Sequence, residues 1–312
     1  MQYTIPDIAA IIGARWLPET GSATISHLLI DSRKLLFPQS TVFFALKTES
    51  RNGHQFIGRL YQKGVRCFVV SEEMDPKTFP GASLLLVENT LIALQTLAAA
   101  HRKKFSYPVI GITGSNGKTI VKEWLNQLLE DDHNIVRSPR SYNSQIGVPL
   151  SVWQMESLHS LGIFEAGISR TGEMPALQNI IQPTIGILTN IGAAHNEGFS
   201  SLREKLEEKW KLFRTAGVII YKRDHGLTDE YVKEIRRDDC LYFSWSFEGD
   251  ATMQVGRTGA DDSGVDCTIR YADQTFALRI PFTDEASIEN ALTCTACLLY
   301  MNISADIITE RI

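Results

Sequence analysis

The sequence predicts an α/β protein with a small first domain and a larger second domain built on a mostly parallel sheet. From residue 108 onward, apolar strand-like runs alternate with helical patterns, which is typical of parallel sheets. Residues 240–283 instead alternate apolar and polar side chains between Gly and Asp turns, which predicts an appended β-ribbon. At the centre, the apolar run 109–112 predicts a buried strand, followed by a glycine-rich turn and a helix over about 120–129.

The central turn reads Thr113-Gly-Ser-Asn-Gly-Lys-Thr119. Its glycines let backbone N–H groups converge on an anion, and the helix start adds the positive end of a dipole. Lys118 can reach the β- and γ-phosphates of a nucleotide, and the Thr119 hydroxyl can bind Mg²⁺. The strict Walker pattern requires glycine where Ile112 stands, so an ordinary turn with a chance Gly-Lys is the alternative. The flanking strand and helix favour the nucleotide-phosphate site.

The composition excludes several classes of protein. The chain is 44% hydrophobic and 21% charged with a net charge of −5, which indicates a soluble globular protein without a nucleic-acid surface. We expect no membrane span and no secretory signal, because the apolar segments are too short and the N-terminus lacks a basic start. The Cys294-x-x-Cys297 pair lies in an apolar helical run, where packing is the favoured role. A reducing cytoplasm fits this cysteine usage.

Two polar clusters in the first domain, 31–33 and 47–54, each follow a predicted strand. Carboxyl ends of strands hold ligands in α/β sheets, although solvated loops are an equal alternative. The domain boundary is placed between 83 and 84, giving domains 1–83 and 84–312. The first domain and its connection read as strands 26–30, 41–46, 65–70 and 84–87, and helices 5–12, 56–63 and 90–104.

In the second domain, three polar residues stand at or just beyond apolar strands: Thr119, Glu165 and His195. A hydroxyl, a carboxylate and an imidazole at one sheet edge can hold Mg²⁺ against phosphate oxygens. Capping or ion pairing of Glu165, and backbone bonding of His195, are the structural alternatives. By spacing alone, Lys209 reads as a surface lysine among salt bridges. The remaining predicted elements are strands 135–136, 161–164, 184–188 and 218–221, a loop at 138–149, and helices 201–213 and 287–302.

These segments resemble the motifs of the ATP-dependent Mur ligases of bacterial peptidoglycan synthesis. The resemblance spans essentially the whole chain. It rests on the loop 113–119 with Lys122-Glu123, Asn143-Ser-Gln-Ile-Gly-Val-Pro-Leu150, Phe164-Glu-Ala-Gly167 with Gly172-Glu173, the segment 189–195, Asp31-Ser-Arg33, Phe43-Phe-Ala-Leu-Lys47 and Gly53-His-x-Phe56.

The resemblance implies a small N-terminal UDP-sugar-binding domain and a P-loop-type central ATP-binding domain. It also implies two Mg²⁺ ions, one on Thr119 and Glu165 and one on His195, with a carbamylated Lys209 helping to hold the second. Lys118, Glu165, His195 and Lys209 would be the catalytic residues. The nucleotide would contact Gly114, Ser115, Asn116, Gly117, Lys118, Thr119 and Asn290, and the UDP-sugar substrate Asp31, Ser32, Arg33, Lys47, Asn52, His54 and Asn143.

The implied reaction is the ATP-dependent addition of D-alanyl-D-alanine to a UDP-N-acetylmuramoyl-tripeptide through an acyl phosphate. Another amide ligase of the same superfamily is one alternative. A nucleotide-binding module without catalysis is another.

Several positions depart from the family pattern. Family members have a third domain for the amine substrate, and the sequence stops at Ile312, so we expect substrate binding with little or no turnover. Ser144, Ser169-Arg170 and Ala286 stand where the family commonly has Asn, Asn-His and His. These departures resemble the variant of the family that is fused to a C-terminal alanine racemase, which is the expected partner domain.

Overall fold

The computed structural model describes residues 1–17, 23–48, 51–192 and 198–312. They form two compact units, one of residues 1–105 with 152–156 and one of 106–151 with 157–312. The structure therefore divides the chain at 105/106 rather than at 83/84. The reason is that strand Ser83–Leu86 pairs with the sheet of the first unit and helix Thr90–Arg102 supplies part of its core.

The first unit is a five-stranded sheet with apolar side chains buried on both faces. Its strands lie in the order β2-β7-β6-β5-β4, with β4 to β7 parallel and β2 antiparallel. Val42 and Phe44 face one core and Phe43 faces the other, as the two-residue period of a strand requires. The elements are β1 Tyr3–Thr4, α1 Ile5–Ile12, β2 Arg15–Leu17, β3 Thr24–Ile25, β4 His27–Leu29, β5 Thr41–Phe44, α2 Ile57–Gln62, β6 Cys67–Val70, β7 Ser83–Leu86 and α3 Thr90–Arg102.

The second unit is built on a nine-stranded sheet in the order β16-β15-β14-β13-β12-β11-β8-β10-β9. Strands β8 to β14 run parallel, and β14, β15 and β16 form an antiparallel ribbon. The strands are β8 Val109–Thr113, β9 Ile135–Arg137, β10 Leu161–Glu165, β11 Ile185–Leu188, β12 Val218–Lys222, β13 Leu241–Ser246, β14 Met253–Asp261, β15 Gly264–Tyr271 and β16 Gln274–Ile280. The helices are α4 Lys118–Leu129, α5 Gly147–Val152, α6 Met174–Ile181, α7 Leu202–Trp210, α8 Gly226–Ile235, α9 Glu285–Tyr300 and α10 Ala305–Arg311.

This architecture confirms the predicted α/β class with a mostly parallel sheet and an appended ribbon. Two details differ. The predicted loop 138–149 contains the first residues of α5. Pro149 does not prevent this, since it lies in the first turn of the helix, where proline is tolerated. The predicted ribbon begins too early, since β13 pairs in parallel with β12 and extends the parallel sheet.

One hydrophobic core of the second unit lies between the sheet and helices α4 and α9. Val121 and Leu125 of α4 pack with Leu292 of α9 against the sheet. Cys294 and Cys297 are fully buried free thiols in this core, in keeping with a packing role. In the part of the chain that the structure describes, no helix combines the length and the apolar character needed to cross a bilayer.

Candidate active site

The phosphate loop connects β8 to α4 and depends on two glycines. Gly114 has φ of 149°, and a Cβ there would lie 1.9 Å from the Thr189 hydroxyl oxygen. Gly117 has φ of 80°, and its Cβ would lie 2.4 Å from Asn290 Oδ1. The N-cap of α4 is Gly117, which has no side chain to cap the helix. The first turn of this helix therefore offers its amide groups to an anion, as the sequence predicts.

Residues 189–192, just beyond β11, bind the phosphate loop from the side. The backbone N–H of Ser115 donates to Asn190 O and that of Asn116 to Asn190 Oδ1, both at 2.9 Å. The Thr189 hydroxyl donates to Asn116 O at 2.5 Å. The loop is therefore anchored before any ligand is added.

Lys118 opens α4, and its ammonium group folds back over the loop. Its Nζ donates to Gly114 O at 2.9 Å and to Ser115 O at 3.3 Å. Burial lowers the pKa of Lys118, the nearby Glu165 charge opposes this effect, and the Lys205 charge adds to it. These two carbonyl oxygens accept the hydrogen bonds of the Lys118 ammonium group, which a bound phosphate would otherwise accept.

Thr119 and Glu165 meet directly, which brings together two residues 46 positions apart. The Thr119 hydroxyl donates to Glu165 Oε2 at 2.8 Å. Glu165 is fully buried at the end of β10, and burial raises the pKa of its carboxyl group. Among the described residues its Oε1 has no hydrogen-bond partner, although Lys122 Nζ lies 3.9 Å away. A buried carboxylate oxygen without a donor beside a hydroxyl is the kind of ligand set that Mg²⁺ prefers.

Lys209 lies on α7 and is 3% exposed, so the interpretation as a surface lysine, based on spacing alone, is wrong. Burial, together with the charges of Lys118 and Lys205, lowers the pKa of Lys209 to about 7. Lys209 therefore shares one electrostatic environment with the phosphate-loop lysine. His195, the other expected ligand of the second metal, lies outside the described residues.

Of two further predicted residues, Asn290 lies against the phosphate loop and Asn143 lies beside the segment that follows Glu165. Asn290, near the start of α9, is buried with its Oδ1 against Gly117. Asn143 lies against Gly167, whose N–H donates to Asn143 O at 2.8 Å, two residues beyond Glu165. The contacts of Asn290 with the nucleotide and of Asn143 with the UDP-sugar substrate stay predictions.

The sequence-based list of site residues omits Lys122, which is fully buried on α4. Its Nζ donates to Ser138 O at 2.8 Å and also to Arg140 O. These bonds hold the segment that places the Ser141 hydroxyl oxygen 3.4 Å from that of Thr119. The sequence feature that could have identified Lys122 is its position within the apolar stripe of an amphipathic helix.

In the first unit, three of the candidate residues form one network. The Lys47 ammonium and the Asn52 amide both donate to Glu72 Oε1, at 2.8 and 3.1 Å. Asn52 Oδ1 lies 2.7 Å from His54 Nδ1, and Ser71 N–H donates to His54 Nε2 at 3.0 Å. His54 therefore carries its proton on Nδ1, and burial lowers its pKa.

Asp31, Ser32 and Arg33 follow β4 and form a separate group. Arg33 donates to both carboxylate oxygens of Asp31, from Nε at 2.9 Å and from Nη2 at 2.8 Å. These bonds lower the pKa of Asp31 to about 2. Ser32 is buried between the two. The strands β4, β5 and β6 are parallel, so both groups lie at the same edge of the sheet.

Comparison with known proteins gives matches over nearly the whole chain. Residues 112–298 match the Mur ligase middle domain. A UDP-N-acetylmuramoyl-tripeptide--D-alanyl-D-alanine ligase of Bacillus subtilis (strain 168) is 28% identical over 310 residues, covering 98% of this chain. This chain spans only 65% of that relative's length.

Solved structures share the fold. The crystal structure of MurF from Acinetobacter baumannii superposes with a TM-score of 0.88 at 24% identity, covering 100% of this chain and 68% of that one. MurF ligase from Thermotoga maritima in complex with ADP has a TM-score of 0.78 at 22% identity, covering 90% of this chain and 64% of that one. Both structures therefore share the fold of this chain.

Proposed function

The chain belongs to the Mur ligase family, and from this premise we propose that it binds ATP and the UDP-sugar substrate of an ATP-dependent amide ligase. The observation that carries the proposal is the Thr119–Glu165 pair beside the phosphate loop, with the half-buried Lys118 and the buried Lys209 in one electrostatic environment. An ordinary turn with a chance Gly-Lys sequence would not explain why these four side chains are brought together. We place the protein in the cytoplasm, where ATP is made.

The proposed substrates are a UDP-N-acetylmuramoyl-tripeptide and D-alanyl-D-alanine. The printed name of the Bacillus subtilis relative, which aligns with 98% of this chain, supports them. The proposed reaction converts the terminal carboxylate of the UDP-peptide into an acyl phosphate at the expense of ATP. The amine of D-alanyl-D-alanine then displaces phosphate, giving an amide, ADP and phosphate. An alanine racemase fused beyond this chain stays a prediction from the sequence departures at Ser144, Ser169-Arg170 and Ala286.

The residues present fit one Mg²⁺ ion, which Thr119 and Glu165 would hold through their oxygens. When bound, Mg²⁺ supplies positive charge that neutralises phosphate oxygens. The chain supplies the rest: amides of the phosphate loop bind the phosphates, and Lys118 exchanges its carbonyl partners for phosphate oxygens. These groups offset the repulsion between a triphosphate and a substrate carboxylate.

We further propose that Lys209 is carbamylated. An amine with a pKa of about 7 is about half unprotonated in neutral solution, and only the unprotonated amine adds to CO₂, losing one proton to give the carbamate. The modification replaces a cation by an anion, as binding of a second Mg²⁺ requires. Carbon-13 NMR after equilibration with labelled bicarbonate should show a carbamate signal that Lys209→Met abolishes and Lys233→Met retains.

The function is tested by calorimetric titration of UDP-N-acetylmuramoyl-tripeptide, and separately of Mg-ATP, into the chain. Binding of both is expected. Lys118→Met should weaken only the binding of ATP, and Lys47→Met only that of the UDP-peptide. If Mg-ATP binds and the UDP-peptide does not, the substrate assignment is wrong and a nucleotide-binding module without this ligase function takes its place.

A further inference from the structure

Lys205 is a second buried lysine of α7 and had no part in the sequence-based site. It is 1% exposed and stands four residues before Lys209, so the two lie on one face of the helix. Burying a long, charged side chain is costly unless its ammonium group finds a partner. The contacts of its ammonium group therefore bear on what this lysine does.

The ammonium group of Lys205 donates to the carbonyl oxygen of Gly192 at 2.7 Å. Gly192 also exchanges two hydrogen bonds with Ser115 of the phosphate loop. The Ser115 hydroxyl donates to Gly192 O at 3.1 Å, and Gly192 N–H donates back to Ser115 Oγ at 3.0 Å. A continuous hydrogen-bonded path therefore runs from Lys205 through Gly192 to Ser115.

Charge adds an independent argument. The positive charge of Lys205 lowers the pKa of both Lys118 and Lys209, so its ammonium group is within electrostatic reach of both. The Lys118 and Lys205 ammonium groups lie within electrostatic reach of each other, and the one carboxylate near Lys118, that of Glu165, cannot balance both, so the arrangement favours a ligand with several negative charges. A nucleoside triphosphate carries such charge.

We propose that Lys205 is a positioning residue of the phosphate site, fixing Ser115 and the phosphate loop through the Gly192 carbonyl so that the loop is ready for a nucleoside triphosphate. The inference rests on the ATP site proposed above and extends it to a residue on α7. The opposing interpretation is that Lys205 merely stabilises the fold. Under that interpretation its loss lowers the melting temperature and leaves the ATP affinity of the folded protein unchanged.

The experiment is calorimetric titration of ATP with EDTA present, so that the phosphate contacts are measured without metal. The proteins are the unchanged chain, Lys205→Met, Ser115→Ala and the double variant, each with its own melting curve. Lys233→Met removes an equal charge from the exposed face of α8 and serves as the control. We expect Lys205→Met and Ser115→Ala each to weaken ATP binding about tenfold, and Lys233→Met to stay within about twofold.

The double variant separates positioning from independent effects. If both residues act through the same path, the double variant should bind ATP no more weakly than the weaker single variant. The proposal is overturned if the ATP affinity of Lys205→Met is within about twofold of that of the unchanged chain. It is also overturned if the loss of affinity in the double variant equals the product of the two single losses. If Lys205→Met fails to fold, Lys205→Gln decides by the same thresholds, because its shorter side chain loses the reach to Gly192.

The outcomes also separate the two proposals. If the unchanged chain fails to bind ATP, both the nucleotide site and the role of Lys205 are wrong. If the unchanged chain and Lys205→Met bind ATP equally well, only the role of Lys205 is wrong.

Discussion

Glu165 places a carboxylate where water scarcely reaches, with one of its two oxygens lacking a hydrogen bond among the described residues. Burying a polar group in this way costs free energy, and native proteins retain it where a ligand completes the site. Thr119 satisfies Oε2, which leaves Oε1 for a metal ion. Oε1 of Glu165 is therefore both the atom whose burial costs free energy and the atom proposed to bind the metal ion.

Glu165→Gln should therefore separate metal binding from phosphate binding. The amide keeps an acceptor for Thr119 but loses the negative charge, so the gain in ATP affinity that Mg²⁺ provides should fall by about tenfold or more. ATP affinity in EDTA should stay equal or rise, because a negative charge near the phosphates is gone. Paired titrations with and without Mg²⁺ measure both effects. Glu230→Gln, at an exposed position of α8, should change neither affinity. If the Mg²⁺ dependence is unaltered in Glu165→Gln, the metal ion does not bind this carboxylate.

Where the phosphate loop meets α9, Gly117 and Asn290 share a space too small for another carbon atom. Gly117→Ala places its Cβ 2.4 Å from Asn290 Oδ1 and keeps a φ of 80°. The double variant Gly117→Ala/Asn290→Ala removes the close contact, but the left-handed backbone still costs about 1–2 kcal/mol. We expect denaturant unfolding to rank the unchanged chain first, the double variant second and Gly117→Ala last.

Gly226 provides the matched control for this series. It opens α8, and a Cβ there meets nothing within 4 Å. Gly226→Ala should leave stability equal or raise it by up to about 1 kcal/mol, since alanine is the better helix former. Equal stabilities of Gly117→Ala and the double variant would show that Asn290 moves aside freely.

Another contact between elements joins α3 to the segment 152–156 within the first unit. The Met155 carbonyl can only accept, so His101 Nε2 donates to it at 3.0 Å and Nδ1 accepts from the Tyr3 hydroxyl at 2.8 Å. Burial lowers the pKa of His101 to about 4, and the charges of the N-terminus and Lys104 add to this effect. Trp153 packs on the same ring.

This histidine should make the first unit sensitive to acid. Its ordinary pKa of 6.5 falls to about 4 on folding, so between these values the unfolded chain binds a proton that the folded chain refuses. The first unit should lose about 3 kcal/mol as the pH falls from 6.5 to 4, and none of that above 6.5. Unfolding curves followed by tryptophan fluorescence measure this. His101→Gln should show a smaller loss over the same range than the unchanged chain; equal losses would assign the effect to other groups.

Local patterns predicted the phosphate loop because its glycines, its lysine and its flanking strand and helix are contiguous. The burial of Lys205 and Lys209 could not be predicted that way. Outside the stripe formed by Leu202, Leu206 and Trp210 every residue of their helix is charged, and only the tertiary packing of α7 decides which lysines are enclosed. Glu165 is an intermediate case. Its position at the end of a strand predicted that it lies at the sheet edge, whereas only the structure shows that its Oε1 has no hydrogen-bond partner in the described part of the chain.

At the scale of the whole molecule, the division into units follows long-range packing rather than composition. The sequence placed the boundary at 83/84, where a loop precedes a strand, but Leu94 and Leu97 of α3 complete the core of the first unit. Trp153, far along the chain, also joins that unit through its indole N–H, which donates to Ser26 O at 2.8 Å. No local pattern marks residues 152–156 as part of the first unit.

Each unit therefore carries its own set of candidate contacts, and hydrogen exchange should distinguish them. Mg-ATP should slow amide exchange in 113–120, because the phosphate-loop amides bind the phosphates, and leave 31–33 unchanged. The UDP-peptide should slow exchange at 31–33 and 51–54, where its UDP-sugar part is proposed to bind. Exchange measured by mass spectrometry on Lys118→Met supplies the control, since protection by Mg-ATP should be lost while protection by the UDP-peptide persists. Protection of 113–120 by the UDP-peptide with none at 31–33 or 51–54 would place its nucleotide on the phosphate loop and contradict the assignment of the first unit.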